Sequence, residues 1–334
     1  MASNRQIEKS RGATGNGCAS LFGRERIIAV IHYCVACLLI LASLVIGVTG
    51  CSSAAPASKP ASTPATVTAV TPAKPANPQV ILATTTSTAD TGLLDVLVPM
   101  FKEKTGYAVK PISVGSGAAK AMGDRGEADV MLLHAPDYEL DSIKNGNGIN
   151  RTLVMHNDFV IVGPPSDPAK INGMASSVEA LKKIAGARAL VLTRGTNSGT
   201  DLAEGKIWKA AGINPVGQSW YMQSGQGMGA SLLVASEKGA YCLSDRGTYL
   251  KNRKAITLDI LVQGDKAYLL NVYHVLEVNP QKFSKVNADG AKAFVSFLVS
   301  PEIQKVIGTF GVDKYGQPLF FPDAGKSEAE VGGS

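Results

Sequence analysis

Four times along this chain a short apolar run breaks into a loop of small hydroxyl and glycine residues and then into a helical pattern. Val80–Ala83 leads to Thr84, Thr85, Thr86, Ser87 and Thr88. Asp90 and Thr91 follow as helix caps, and Leu93, Leu94, Leu97 and Val98 recur at helical spacing towards Lys104 and a stop at Gly106. Val109–Val114, with Pro111 favouring a sheet edge, leads to Gly115-Ser116-Gly117 and a helix from Ala118. Ala189–Leu192 leads to a polar loop from Thr193 to Thr200 that carries Arg194, then to a helix from Asp201 to Ala211. Trp220–Met222 leads to Gly225-Gln226-Gly227-Met228-Gly229 and a helix from Ala230. This alternation predicts an α/β protein with mostly parallel sheets, whose ligands sit beyond the carboxyl ends of the strands.

One such junction has two readings. Ser and Thr before a helix are most often caps. The same hydroxyls, beside the free N–H groups and positive dipole end of a helix, also suit a bound anion. Four junctions of one kind can converge on a single site, and that convergence favours the anion.

Between and after the junctions, Ala128–Leu133 reads as a strand ending at His134, and Tyr138–Asn145 as a short helix. Leu153–Met155 and Phe159–Val162 are strand-like, Ser177 caps a helix to Ile184, and Gly239–Leu243 and Leu270–Glu277 are strands. Helices follow over Asp289–Leu298 and Pro301–Gly308, and the residues after Asp323 read as a frayed tail.

The first fifty residues read as a secretory signal. Arg24 and Arg26 flank an apolar run from Ile27 to Val48, which ends in Val48-Thr49-Gly50-Cys51. These last residues resemble a bacterial lipobox, which implies cleavage before Cys51 and a lipid on its sulfur. The apolar run also reaches transmembrane length, so an uncleaved anchor is the second reading. Ser52–Pro78 is rich in Ala, Pro, Ser and Thr and reads as a solvated tether. Five cations against two acids put half of the net charge of +6 before Cys51, so the rest of the chain gives little reason for a nucleic-acid partner. With Cys18, Cys34 and Cys37 in the leader and Cys51 acylated, Cys242 alone remains. It is expected as a small buried residue, with no disulfide.

The ordered set of motifs resembles the tungstate-binding component of a bacterial ABC importer. It comprises Thr84–Thr88, Thr91-Gly92-Leu93-Leu94, Val114–Gly117, Gly126–Val130, Asn157–Pro164, Arg194-Gly195 with Ser198-Gly199-Thr200, Gly225–Met228, Asp245–Tyr249 and Val278-Asn279-Pro280. It runs from about Val80 to Asp323. The resemblance implies the α/β, two-lobed, type II periplasmic-binding-protein architecture (a Venus flytrap) with two crossing strands, near Phe159–Val162 and Ala267–Val272. The segments are then a signal peptide (1–50), a tether (51–79), lobe 1 (80–162 and 267–322), lobe 2 (163–266) and a disordered tail (323–334). It implies a monomeric, lipid-anchored, extracytoplasmic binding protein that delivers tungstate, or also molybdate, to a permease and its ATPase. It places the ligand on Thr85, Thr86, Ser87 and Ser116 from one lobe and on Arg194, Ser198 and Thr200 from the other, with Gly227 and Arg246 as further candidates. The sequence departs from the family at Thr196, where Asp is common, and at Asp201, where His is common.

The chemistry agrees with an oxyanion. Tungstate, molybdate and sulfate are fully deprotonated dianions that need donors only: hydroxyls, backbone N–H groups and an Arg fork. Phosphate keeps a proton and is best read with an acceptor carboxylate, which Asp201 or Asp90 would have to supply. Arg194 has a structural alternative in Glu204, and Arg246 in the Asp245 loop. The competing classes are a hydrolase and a signalling receptor on the same fold. Against an enzyme, the chain lacks the nucleophile elbow G-x-S-x-G, a P-loop and a dinucleotide fingerprint. His134 and His274 read as hydrogen-bonded core residues. No cofactor and no bound metal other than the oxyanion itself is expected.

Overall fold

A computed structural model describes residues 75–195 and 197–332. The leader, Cys51, the tether up to residue 74 and Thr196 lie outside the described residues. In chain order the first elements are β1 (Gln79–Thr85), α1 (Thr86–Asp90), α2 (Leu93–Thr105), β2 (Ala108–Val114), α3 (Ser116–Asp124), β3 (Val130–Leu133), α4 (Pro136–Lys144) and β4 (Gly148–Gly163). Then come α5 (Ser177–Gly186), β5 (Val191–Thr193), α6 (Gly199–Ala211), β6 (Tyr221–Gln223), α7 (Met228–Lys238), β7 (Cys242–Asp245), α8 (Arg246–Asn252) and β8 (Asp259–Val262). The chain closes with β9 (Leu270–Val278), α9 (Ala288–Leu298), α10 (Pro301–Thr309), α11 (Val312–Tyr315), β10 (Phe321–Pro322) and α12 (Glu328–Val331).

The larger sheet runs β10-β4-β9-β3-β1-β2, with β7 and β8 also on β4, and β5 pairs with β6 in a second sheet. β2, which carries Pro111, is an edge strand, where a missing N–H costs nothing to the ladder. The β1–β2, β1–β3 and β5–β6 pairs are parallel, as alternating strands and helices require. The sheet is nevertheless mixed, because β9 runs antiparallel to β3 and β4, and β7 and β8 run antiparallel to β4. The expectation of mostly parallel pairing therefore fails at the middle of the chain. A strand that brings the chain back across the molecule must run against its neighbours.

β4 organises this middle. The two strand-like runs expected over 153–162 are one sixteen-residue strand. It pairs with β9 as far as Asp158 and with β7 from Phe159 onward. Its side chains enter different apolar clusters on the two sides of that switch. Val154 and Met155 pack with Leu82, Leu97, Phe101, Tyr273 and Phe294. Phe159 and Ile161 pack with Ile184, Ile207, Trp208, Trp220 and Tyr241. Val160 and Val162 face a further cluster around Met228, Leu232 and Tyr249. Cys242 is buried with a free thiol in that last cluster, as its apolar neighbours suggest.

Local boundaries move for local reasons. The hydroxyl loop after β1 is the end of the strand plus the single turn α1, because Thr85 caps it and accepts from Thr88 N at 3.2 Å. α5 is capped by Ser176 rather than Ser177, whose hydroxyl instead donates to Asp265 at 2.7 Å. The tail is ordered where it was expected to fray. Ser327 and Glu330 form a reciprocal capping box, and Glu328 pairs with Arg151.

Candidate functional site

The first wall of the site is built at the carboxyl end of β1. Thr84 Oγ1 donates to the Leu132 carbonyl at 2.9 Å, which ties the end of β1 to β3. Thr85 Oγ1 accepts from Thr88 N and lies 2.7 Å from Thr88 Oγ1 and 3.1 Å from His134 Nε2. Its hydroxyl is thus engaged within the protein, which makes Thr85 an organiser of the wall. Thr86 Oγ1 accepts from Arg194 and keeps its own proton free for another acceptor. Ser87 is fully buried, with Oγ 3.3 Å from His134 Nε2. Ser116 opens α3 behind a Gly115 cap, and its buried Oγ has no partner in the protein.

The second wall follows β5. Arg194 is only 4% exposed, and its Nε donates to the Gln226 carbonyl at 3.0 Å. The chain turns sharply after it at Gly195, where φ is +68° and a Cβ would stand 1.9 Å from Gln223 Nε2, so only glycine fits. Ser198 caps α6, accepting from Asp201 N at 3.1 Å, and Thr200 Oγ1 in the first turn is buried without a partner. Gly227 opens α7 with no side-chain cap. The first-turn N–H groups of such helices have no partner within the helix and point out of its start.

The two walls touch. Arg194 Nη2 donates to Thr86 Oγ1 at 2.7 Å, and Gly117 N donates to the Asn197 carbonyl at 3.3 Å. Lys206 pairs with Asp137 at 2.9 Å, and Lys251 donates to the Asp90 carbonyl. Burial pulls Arg194 below its ordinary pKa, opposed by the charges of Asp245, Asp90 and Asp201, and a guanidinium remains a cation under these conditions. Nothing in this donor set ligates a metal ion as such, and among the described residues no group of three or more His, Cys, Asp or Glu could hold one.

Sequence reasoning missed the layer behind the first wall. His134 is a hydrogen-bonded core residue, as its place after a strand suggests, and its partners reach the site. Its Nδ1 lies 2.9 Å from Asn271 Oδ1, and Asn271 Nδ2 donates to Asn157 Oδ1 at 2.6 Å. Asp245, capping α8 through Thr248 N, is also fully buried, with Oδ2 unpartnered. These contacts span up to 137 positions, so no local spacing announces them.

The Ser87–His134–Asn271 chain has the connectivity of a nucleophile, base and orienter. Burial holds His134 down to about pKa 4, which makes it a weak general base at neutral pH. Thr85 also lies closer to its Nε2 than Ser87 does. The arrangement orders hydroxyls better than it activates one.

Side-chain geometry bears on Arg194, Arg246 and Asp201. Arg194 does not pair with Glu204, whose carboxylate accepts from Thr193 Oγ1 at 2.8 Å, Trp208 Nε1 at 2.9 Å and Tyr221 OH at 3.0 Å. Arg246 reaches neither the Asp245 loop nor the two walls. It forms a two-pronged pair with Asp158 at 2.7 and 2.5 Å and also donates to Gln263 at 2.8 Å. The Nε and Nη2 protons are thus spent on Asp158 and Gln263, which anchors the guanidinium plane to β4 and leaves Nη1 as its one edge without a hydrogen bond among the described residues. Asp201 lines a cavity of about 350 Å³ with Thr193, Gly195, Asn197, Val216, Tyr221 and Gln223, and its charge acts on Arg194. Arg246→Ala is expected to leave oxyanion affinity within about threefold and to lower stability by about 1–2 kcal/mol, measured by titration calorimetry and urea unfolding. A tenfold loss of affinity would return Arg246 to the ligand set.

Comparisons with known proteins identify the family. The family model of the PBP superfamily domain matches residues 64–302. The tungstate-binding protein TupA of Peptoclostridium acidaminophilum is 46% identical over 249 residues, covering 74% of this chain and 86% of that protein. The tungstate-binding protein TupA of Campylobacter jejuni is 41% identical over 242 residues, covering 71% and 88%. Among solved structures, the tungstate-binding protein TupA of Desulfovibrio alaskensis G20 is similar at a TM-score of 0.65 and 44% identity, covering 74% of this chain and 99% of that one.

Proposed function

The chain belongs to the PBP superfamily, in the family of tungstate-binding proteins, and from this we propose that it captures tungstate outside the cytoplasm and hands it to an ABC import permease. The observation that carries the reading is a pair of buried hydroxyls, Ser116 Oγ and Thr200 Oγ1, one on each wall and neither with a protein partner. Buried polar atoms are nearly always hydrogen-bonded, so hydroxyls left open at a helix start on each wall support a place for an acceptor. In this reading Thr86, Ser87 and Ser116 donate from lobe 1, and Arg194, Ser198 and Thr200 from lobe 2. The Gly227 turn adds backbone donation, and Thr85 acts through its cap and His134. None of these donors is a carboxylate, which suits a dianion without protons; Asp90, Asp201 and Asp245, whose charges act on Arg194, are the acceptors that hydrogen phosphate would need.

Lobe 1 takes residues 80–162 and 267–322 and lobe 2 takes 163–266, with the exchange along β4 and into β9. Closure of the lobes on the anion is then the conformational step. The reading is of binding and not of catalysis. A lipid on Cys51 and the tether after it would hold a monomer at the membrane surface near its permease.

Titration calorimetry of the full chain against tungstate, molybdate, sulfate and phosphate tests the assignment. One tungstate per chain is expected, bound more tightly than sulfate or phosphate. Phosphate binding in place of tungstate would overturn it. Mass spectrometry of the membrane-associated protein tests the anchor, since acylation should vanish in Cys51→Ala.

A further inference from the structure

We propose that His134 is a positioning residue that couples the oxyanion donors of lobe 1 to the crossing strands and to the first turn of lobe 2's helix α6. The inference rests on the oxyanion reading above and extends it to a residue that does not touch the ligand.

Three sets of contacts meet on this one ring. Its Nε2 lies 3.1 Å from Thr85 Oγ1 and 3.3 Å from Ser87 Oγ. Its Nδ1 lies 2.9 Å from Asn271 Oδ1, and Asn271 in turn donates to Asn157 at 2.6 Å. Asn157 and Asn271 are directly paired positions of β4 and β9, the strands that carry the chain between lobes. The ring is stacked on Tyr273, with centroids 4.8 Å apart, and Phe159 lies 6.4 Å away. From lobe 2, Gly199 approaches so closely that a Cβ there would stand 2.6 Å from His134 Cε1 and 2.8 Å from Nδ1.

The proton inventory gives the coupling its direction. With the Asn271 oxygen facing Nδ1, that nitrogen carries the imidazole proton and Nε2 is an acceptor. Nε2 takes the proton of Thr85, whose lone pairs then receive Thr88. Ser87 Oγ also lies 3.2 Å from Thr85 Oγ1, but with Thr88 N and Thr88 Oγ1 on the Thr85 lone pairs the Ser87 proton is left for an anion. Gly199 completes the contact only when lobe 2 lies against lobe 1. The imidazole therefore has its full set of neighbours in the closed arrangement, where the donors of both walls also meet.

Tungstate binding by the unmodified full chain is the control, read by calorimetry. Closure is read by a spin-label distance between the lobes. His134→Phe keeps the stacking ring and removes both hydrogen bonds. It should weaken tungstate binding by about tenfold and reduce the ligand-induced closure. Gly199→Ala should weaken binding by at least as much, because its methyl meets the ring. In a His134→Ala background the same Gly199→Ala change should cost less than about twofold, since the obstructing ring is gone. Nitrogen NMR of the unmodified protein should find the Nδ1–H tautomer. The proposal is overturned if His134→Phe binds and closes like the unmodified chain, if Gly199→Ala costs the same in both backgrounds, or if Nε2 carries the proton. Should the unmodified chain bind no oxyanion at all, the reading beneath the proposal fails first and the proposal goes with it.

Discussion

Replacing Arg194 by alanine will weaken tungstate binding by about 3 kcal/mol, on the order of a hundredfold in Kd by titration calorimetry. Arg194 is the single cation among the donors we assign, and it is buried at the place where the two walls touch. Its direction is set by two local features, the Gly195 turn and the Gln226 carbonyl that holds Nε. Alanine removes the charge, leaves Thr86 without its donor, and asks neutral dipoles alone to hold a dianion. Arg194→Lys restores the charge as a point but loses the planar fork, so its affinity should fall between the two. If the alanine variant binds within threefold of the unmodified protein, Arg194 is a structural tie between lobes and the anion lies elsewhere.

The second large effect concerns pH. Burial pushes Asp245 up to about 6. The charge of Asp90 adds to this, while the Thr248 N–H and the Arg194 charge oppose it. A carboxyl whose folded pKa is raised stabilises the native state fully below its unfolded value near 4, and this contribution is lost as pH rises through about 6. The loss amounts to about 3 kcal/mol. His134 has the opposite sign. Burial lowers it to about 4 from 6.5, so its contribution is complete above 6.5 and is lost as pH falls through about 4. The two slopes oppose each other over nearly the same window, and the unmodified protein should show a shallow profile there. Asp245→Asn, which retains a cap for Thr248 N, should expose the His134 slope. Its stability by urea unfolding should then rise by about 3 kcal/mol between pH 4 and 6.5. An asparagine variant whose profile superimposes on that of the unmodified protein would show that Asp245 titrates normally.

Much of the site was legible before the fold was known, because its parts are local. A hydroxyl that caps a helix must lie within three residues of the N–H it receives, so the hydroxyl loop announces a cap; the cap is Thr85 rather than Asp90 or Thr91, and Gly92 stands before α2. Ser116 and Thr200 are likewise given away by their places at helix starts. The element types came through for the same reason, since strand and helix periods are written into neighbouring residues.

What the sequence leaves open lies in pairings between distant residues. Arg246 meets Asp158 across 88 positions, and Glu204 is claimed by Thr193, Trp208 and Tyr221 rather than by Arg194. The long strand β4 reads as two fragments because it changes partners at Asp158, and each half answers to a different core.

The order and chemistry of the residues were thus enough to specify an α/β chain with four hydroxyl-rich helix starts and one arginine among them. Short-range hydrogen bonding and periodic burial act over a few residues and leave their trace there. That Thr86 faces Arg194, that Asn157 and Asn271 stand side by side behind His134, and that Asp245 is buried beneath them followed from packing. Strand register and the approach of two walls choose partners by shape and by the cost of leaving a buried polar group unpaired, and neither is encoded in any one stretch of chain.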